Sequence, residues 1–146
     1  MNAFPIIRVV SKLLIPYILL FAFYVQFHGD FGPGGGFQAG VVLAAAIILY
    51  GLVFGLAEAK RVAPPAVMQR LMALGVLLYG GTGVISMIRG GEFLDYDLLE
   101  HSVGHHWLPS GQHLGIFLVE LGVGITVTSV MVMIFFTFAS RRSMTS

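Results

Sequence analysis

Glu120 is the residue of this chain whose type and position most demand a chemical explanation. It is the ionisable residue lying well inside a long apolar run, about two helical turns from that run's start. An acidic residue at the centre of a membrane helix costs on the order of 2.5–3.5 kcal/mol, so its carboxylate must face protein or water. His113 precedes it by seven residues, which puts the two on nearly the same helix face with Phe117 and Gly124 beside them. Two chemistries fit. One is a proton- or cation-handling carboxylate; the other is a structural carboxylate bonded to a neighbouring helix or to backbone freed by a nearby turn. The remaining histidines are less suggestive. His101, His105 and His106 have a spacing that could share zinc on a helix, but Gly104 interrupts it and no H-E-x-x-H pattern is present. The ordinary explanation is a solvated or partner-contacting loop, so no metal and no cofactor is expected. Glu92, Asp95, Asp97 and Glu100 fall in the same loop, as a solvated face or a local attractor of cations.

The second chemical candidate is the stretch His28 to Gly40, H-G-D-F-G-P-G-G-G-F-Q-A-G. Its glycine density is incompatible with a regular helix or strand, yet an apolar run begins at Phe37. As a nest of backbone N–H groups before a helix it could hold phosphate, but it lacks the G-x-x-x-x-G-K-[ST] pattern and no lysine follows. Nucleotide binding is therefore not expected. The alternative is a backbone device in which Pro33 fixes the entry, Gly34, Gly35 and Gly36 allow close approach, and Phe37 and Gln38 open the next helix. Irregular backbone at membrane depth survives only when buried in protein or lining water. Both candidates thus require a membrane setting and close neighbours.

The composition supplies that setting. Of 146 residues, 57% are hydrophobic and 10% charged, against about 25% charged in soluble domains. The mean hydropathy is +0.89. The chain reads as an all-α membrane protein, a single integral-membrane domain over residues 1–146 with four transmembrane helices at about 5–27, 37–57, 67–88 and 114–139. Pro16 falls inside the first span, where neighbouring helices can satisfy the carbonyl it frees. A net charge of +1 without a basic run gives no support to nucleic acid as a partner, and the lack of cysteine removes disulfides, thiolate catalysis and sulfur-ligated metals. With both termini inside, Arg8, Lys12, Lys60, Arg61, Arg70, Arg141 and Arg142 face the cytoplasm and Arg89 faces outward. This N-in/C-in arrangement places the glycine-rich turn between helices 1 and 2 on the outer side, beside the histidine-bearing loop. Gly36 and Gly40, Gly51 and Gly55, and Gly111 and Gly115 are spaced four apart, as where helix backbones approach closely, within the chain or against other subunits.

The pattern H-x-x-x-x-P-G-G-G-F-Q-x-G followed by a long apolar helix, with G-I-x-L-V-E-L-G-V-G at Gly115 to Gly124, closely resembles the MnhB/MrpB family, one of the small subunits of the multisubunit Mrp (Mnh) cation/proton antiporters. The resemblance covers essentially the whole chain, with Gly32 and Ala39 standing where members often carry Ser and Gly. It implies a small hydrophobic transporter component, multi-pass in a bacterial or archaeal cytoplasmic membrane. Its partners would be the lipid bilayer and the other subunits of a complex that exchanges Na+ or another monovalent cation for H+. Members of that family have no known catalytic constellation of their own. The positions carried over are His28, Pro33, Gly34, Gly35, Gly36, Phe37 and Gln38, with Glu120 as the buried carboxylate. Membrane-bound hydrogenases and related respiratory complexes resemble the same module, so a redox enzyme's membrane arm is the alternative.

Overall fold

A computed structural model of the chain describes residues 5–29, 34–88, 90–94 and 111–142. Helices account for nearly all of them, and no strand occurs among the described residues. They are α1 (Pro5–His28), α2 (Gly36–Phe54), α3 (Leu56–Val62), α4 (Pro65–Ile88) and α5 (Gly111–Arg142). All but α3 are long and apolar enough to cross a membrane, and they run up, down, up and down. This is the all-α, four-span architecture that the composition requires. Pro33, Arg89 and the loop carrying Tyr96, His101, His105, His106 and Trp107 lie outside the described residues.

α5 is the central helix. It packs against α4 on one side and α2 on the other, while α1 leans chiefly on α2. Small residues set these contacts. A methyl group placed at Gly40 would stand 2.8 Å from Gly124 O and 2.9 Å from Val127 Cβ, and one at Gly122 would stand 2.9 Å from Gly75 O. The backbones of α2, α5 and α4 therefore touch without side chains between them, the condition under which dispersion and weak polar contacts hold helices together in lipid. At the other end, Ala44, Ala59, Ala63, Met68, Val132 and Phe136 form the buried apolar cluster.

The second span ends three residues earlier than its apolar run. Helix α2 stops at Phe54 because Gly55 takes φ 103° and ψ 155°, a conformation essentially restricted to glycine. Gly55 therefore acts as a hinge and not as half of a helix-packing pair; a methyl there would meet nothing within 4 Å. After it, α3 turns back along the bundle, with Lys60 Nζ donating to Ser140 Oγ at 2.9 Å. The Pro64 carbonyl then accepts from the N–H groups of Val67 and Met68, so the proline pair starts α4. Arg8 and Lys12 of α1 lie over the Phe54 ring at 5.4 and 5.7 Å. The basic residues of α1, α3 and the end of α5 thus share one end of the bundle, and the glycine-rich segment with the start of α5 forms the other.

Candidate functional site

At the glycine end three helices converge on Glu120. Apolar contact aligns them, since the Phe27 ring of α1 stacks on Phe117 of α5 with centroids 5.7 Å apart. One turn deeper on α5, the half-buried Glu120 points its carboxylate across to α1 and to the N-cap of α2. A methyl group on Gly29 would stand 2.7 Å from Glu120 Oε2 and 2.8 Å from Oε1, and one on Gly35 would stand 3.3 Å from Oε1. Gly36 presses against the Glu120 backbone carbonyl itself, with no room for any side chain. Glycine at these positions is a spatial requirement. At Gly35 it is a conformational one as well, because φ 130° with ψ 175° is a region other residues do not adopt without strain.

Below the carboxylate the seam stays polar. Gln26 of α1 is only 5% exposed, and its Oε1 lies 2.6 Å from where a Gly124 methyl would be. Its Nε2 is buried and has no hydrogen-bond partner among the described residues. Thr128 Oγ1, one further turn down α5, lies 2.7 Å from Gly124 O and 3.1 Å from Gly40 O, so its proton is shared between the two helices. Other buried hydroxyls bond back to their own helix, as Ser86 does to Thr82 O and Ser129 to Ile125 O. The polar line Glu120, Gln26, Thr128 then meets the apolar cluster at Ala44 and Val132.

The residues singled out from sequence are distributed unevenly around this seam. Gly35 and Gly36 are in contact with Glu120, and Gly34 packs on α1, within 3.0 Å of Val25 O for an added methyl. His28 ends α1 next to Gly29, exposed and stacked on Tyr24 at 5.1 Å. His113 is in the first turn of α5, with its side chain outside the described residues. Phe37, 64% exposed, and Gln38, also exposed, point away from the seam. Gly29, which lies within the glycine-rich stretch, joins the site beside Gly35 and Gly36, and so does Gln26, which sequence reasoning does not single out. The signal for Gln26 is an amide within an apolar helix, three residues before a glycine, easily taken for an interfacial position.

Comparison with known proteins covers both halves of the seam. A family model described as "Domain related to MnhB subunit of Na+/H+ antiporter" matches residues 6–133. The chain belongs to the MnhB family. A protein of Staphylococcus aureus (strain Newman), provisionally named antiporter subunit mnhB2, is 36% identical over 143 residues, spanning 94% of this chain and 96% of the relative. Its counterpart in Staphylococcus haemolyticus (strain JCSC1435), with the same provisional name, is 32% identical over 139 residues with the same coverage. With four helices fit to cross a bilayer, this MnhB-family chain is a multi-pass membrane protein.

Proposed function

We propose that the chain is the MnhB component of a multisubunit Na+/H+ antiporter, embedded in the bilayer among the complex's other subunits with both termini in the cytoplasm. The observation that carries this is the family match, which runs unbroken through the glycine-rich segment and through Glu120. The relatives' names are those of antiporter subunits, which supports this reading over the membrane arm of a redox enzyme. The gathering of basic residues at one end supports the orientation, because lysine and arginine near span ends are retained on the cytoplasmic side. On this reading the glycine end faces outward. Glu120 is then a proton- or cation-handling carboxylate reached from the outer side, with His28 and His113 at its approach. A carboxylate kept at membrane depth against bare backbone is costly to maintain for packing alone.

Removing the subunit should abolish Na+-dependent proton exchange in everted vesicles while the remaining subunits are still expressed. Normal exchange without it would sink the proposal. For Glu120, the Glu120→Gln variant should assemble normally and lose exchange; full exchange in an assembled variant would return the carboxylate to a structural role.

A further inference from the structure

Buried polar groups are hydrogen-bonded in almost every native structure, and an amide NH2 shut away from partners is a demand for an acceptor. Among the described residues Gln26 Nε2 is that group, in a side chain that is only 5% exposed. Three features surround it. Its own Oε1 is turned to Gly124, 2.6 Å from where a methyl on that residue would be, so the oxygen side of the amide faces the α2–α5 contact. Gly124 follows Glu120 by four residues, and Gly29, whose Cα borders the Glu120 carboxylate, follows Gln26 by three. Gly124, against which the amide lies, is therefore about one helical turn below Glu120 on the same seam, roughly 6 Å of axial rise for four residues. That is the span of two hydrogen bonds through one water molecule, each about 2.7–3.0 Å.

We propose that Gln26 holds a buried water against Glu120, its Nε2–H donating to the water oxygen and the water donating to the carboxylate. The glycines at 29, 35 and 124 let the two polar side chains enter the seam, and a polar site with two or more partners is the setting in which buried water is stable. The site deepens the Glu120 reading above and rests on it only in its consequence. With the water in place, the polar line continues from Glu120 through Gln26 to Thr128, eight residues or about 12 Å along α5. It stops where Ala44 and Val132 close the seam. Gln26 is thus the positioning residue of a wet half-path opening at the glycine end.

The test is cryo-electron microscopy of the intact complex in lipid, at a resolution that shows ordered water, for the natural chain and two variants. Solvent density between Gln26 Nε2 and the Glu120 carboxylate is expected in the natural chain. It should be retained in Gln26→Asn, which keeps an amide, and lost in Gln26→Leu. Nε2 bonded directly to a carbonyl or to another subunit's side chain, with no solvent beside it, overturns the proposal. So does density that persists unchanged in Gln26→Leu. If Gln26→Leu fails to assemble, the natural chain and Gln26→Asn still decide. The readout is independent of transport: the water present, with full exchange in assembled Glu120→Gln, would keep this site and remove only the ion-handling role.

Discussion

A single added methyl group distinguishes the roles of the glycines around Glu120. At Gly36 the new carbon runs into the Glu120 backbone carbonyl, which cannot move without separating α2 from α5. Gly36→Ala should therefore cost about 1–3 kcal/mol of overpacking and lower the heat resistance of the purified complex. At Gly29 the nearest obstacle is the far end of the Glu120 side chain, which can swing aside, with the Gly35 Cα close behind it at 2.9 Å. Gly29→Ala should assemble and lose exchange by displacing the carboxylate, with a smaller loss of heat resistance than Gly36→Ala, because the Gly35 Cα at 2.9 Å has less far to give than the Glu120 carbonyl against Gly36. Gly80 meets nothing within 4 Å, and Gly80→Ala should leave both properties unchanged. Measuring heat resistance and vesicle exchange for all three separates packing from function; equal behaviour of Gly29→Ala and Gly36→Ala would contradict the distinction. Glu120 is legible in the sequence because a carboxylate within an apolar run must face protein or water, whether its role is ion handling or structural. Gln26 is not, since it packs where Gly124 lacks a side chain and α1 meets α5, and helix pairing is not encoded in the periodicity of either helix.

The elements carry a similar lesson. Four spans follow from apolar runs of sufficient length, and their ends from charges and prolines. The end of α2 does not, because the apolar run continues through Gly55 to Ala57 and only the backbone dihedrals reveal the break. Glycine in an apolar helix reads equally as a packing surface or as a hinge. The structure makes Gly51 the former, with Phe135 and Ala59 against it, and Gly55 the latter. Both caps of α2, Gly35 and Gly55, occupy the same glycine-restricted region, so the helix is bounded by backbone conformation at each end. Gly55→Ala should then destabilise by about 1–3 kcal/mol although the site is sterically open. The check is the thermal midpoint of the purified complex beside that of Gly80→Ala, an equally open position at ordinary helical dihedrals. Equal midpoints would mean that α2 and α3 can join into one helix at no cost.

At the scale of the whole molecule, the charge distribution and the polar seam must agree about which side is which. Arg8 and Lys12 sit over Phe54, Lys60 reaches Ser140, and Arg61 pairs with Glu58 at 2.8 Å, so the first, third and last helices contribute to one basic end. The opposite end holds the Glu120 seam and the segment in which Phe93 folds back against Gly83. If the basic end is cytoplasmic, the half-path to Glu120 opens outward; if it is not, the path opens to the cytoplasm and the direction of ion access reverses. The chain contains no cysteine, so a single introduced thiol reports its own side. Glu58→Cys and Glu92→Cys suit the purpose, because Glu58 lies on α3 at the basic end and the exposed Glu92 follows α4 at the other. The Glu58–Arg61 pair is surface-exposed, and its loss should cost little. A membrane-impermeant maleimide applied to intact cells should label Glu92→Cys and spare Glu58→Cys, with the pattern inverted in everted vesicles. The opposite result would overturn the N-in/C-in orientation and place Glu120 within reach of the cytoplasm.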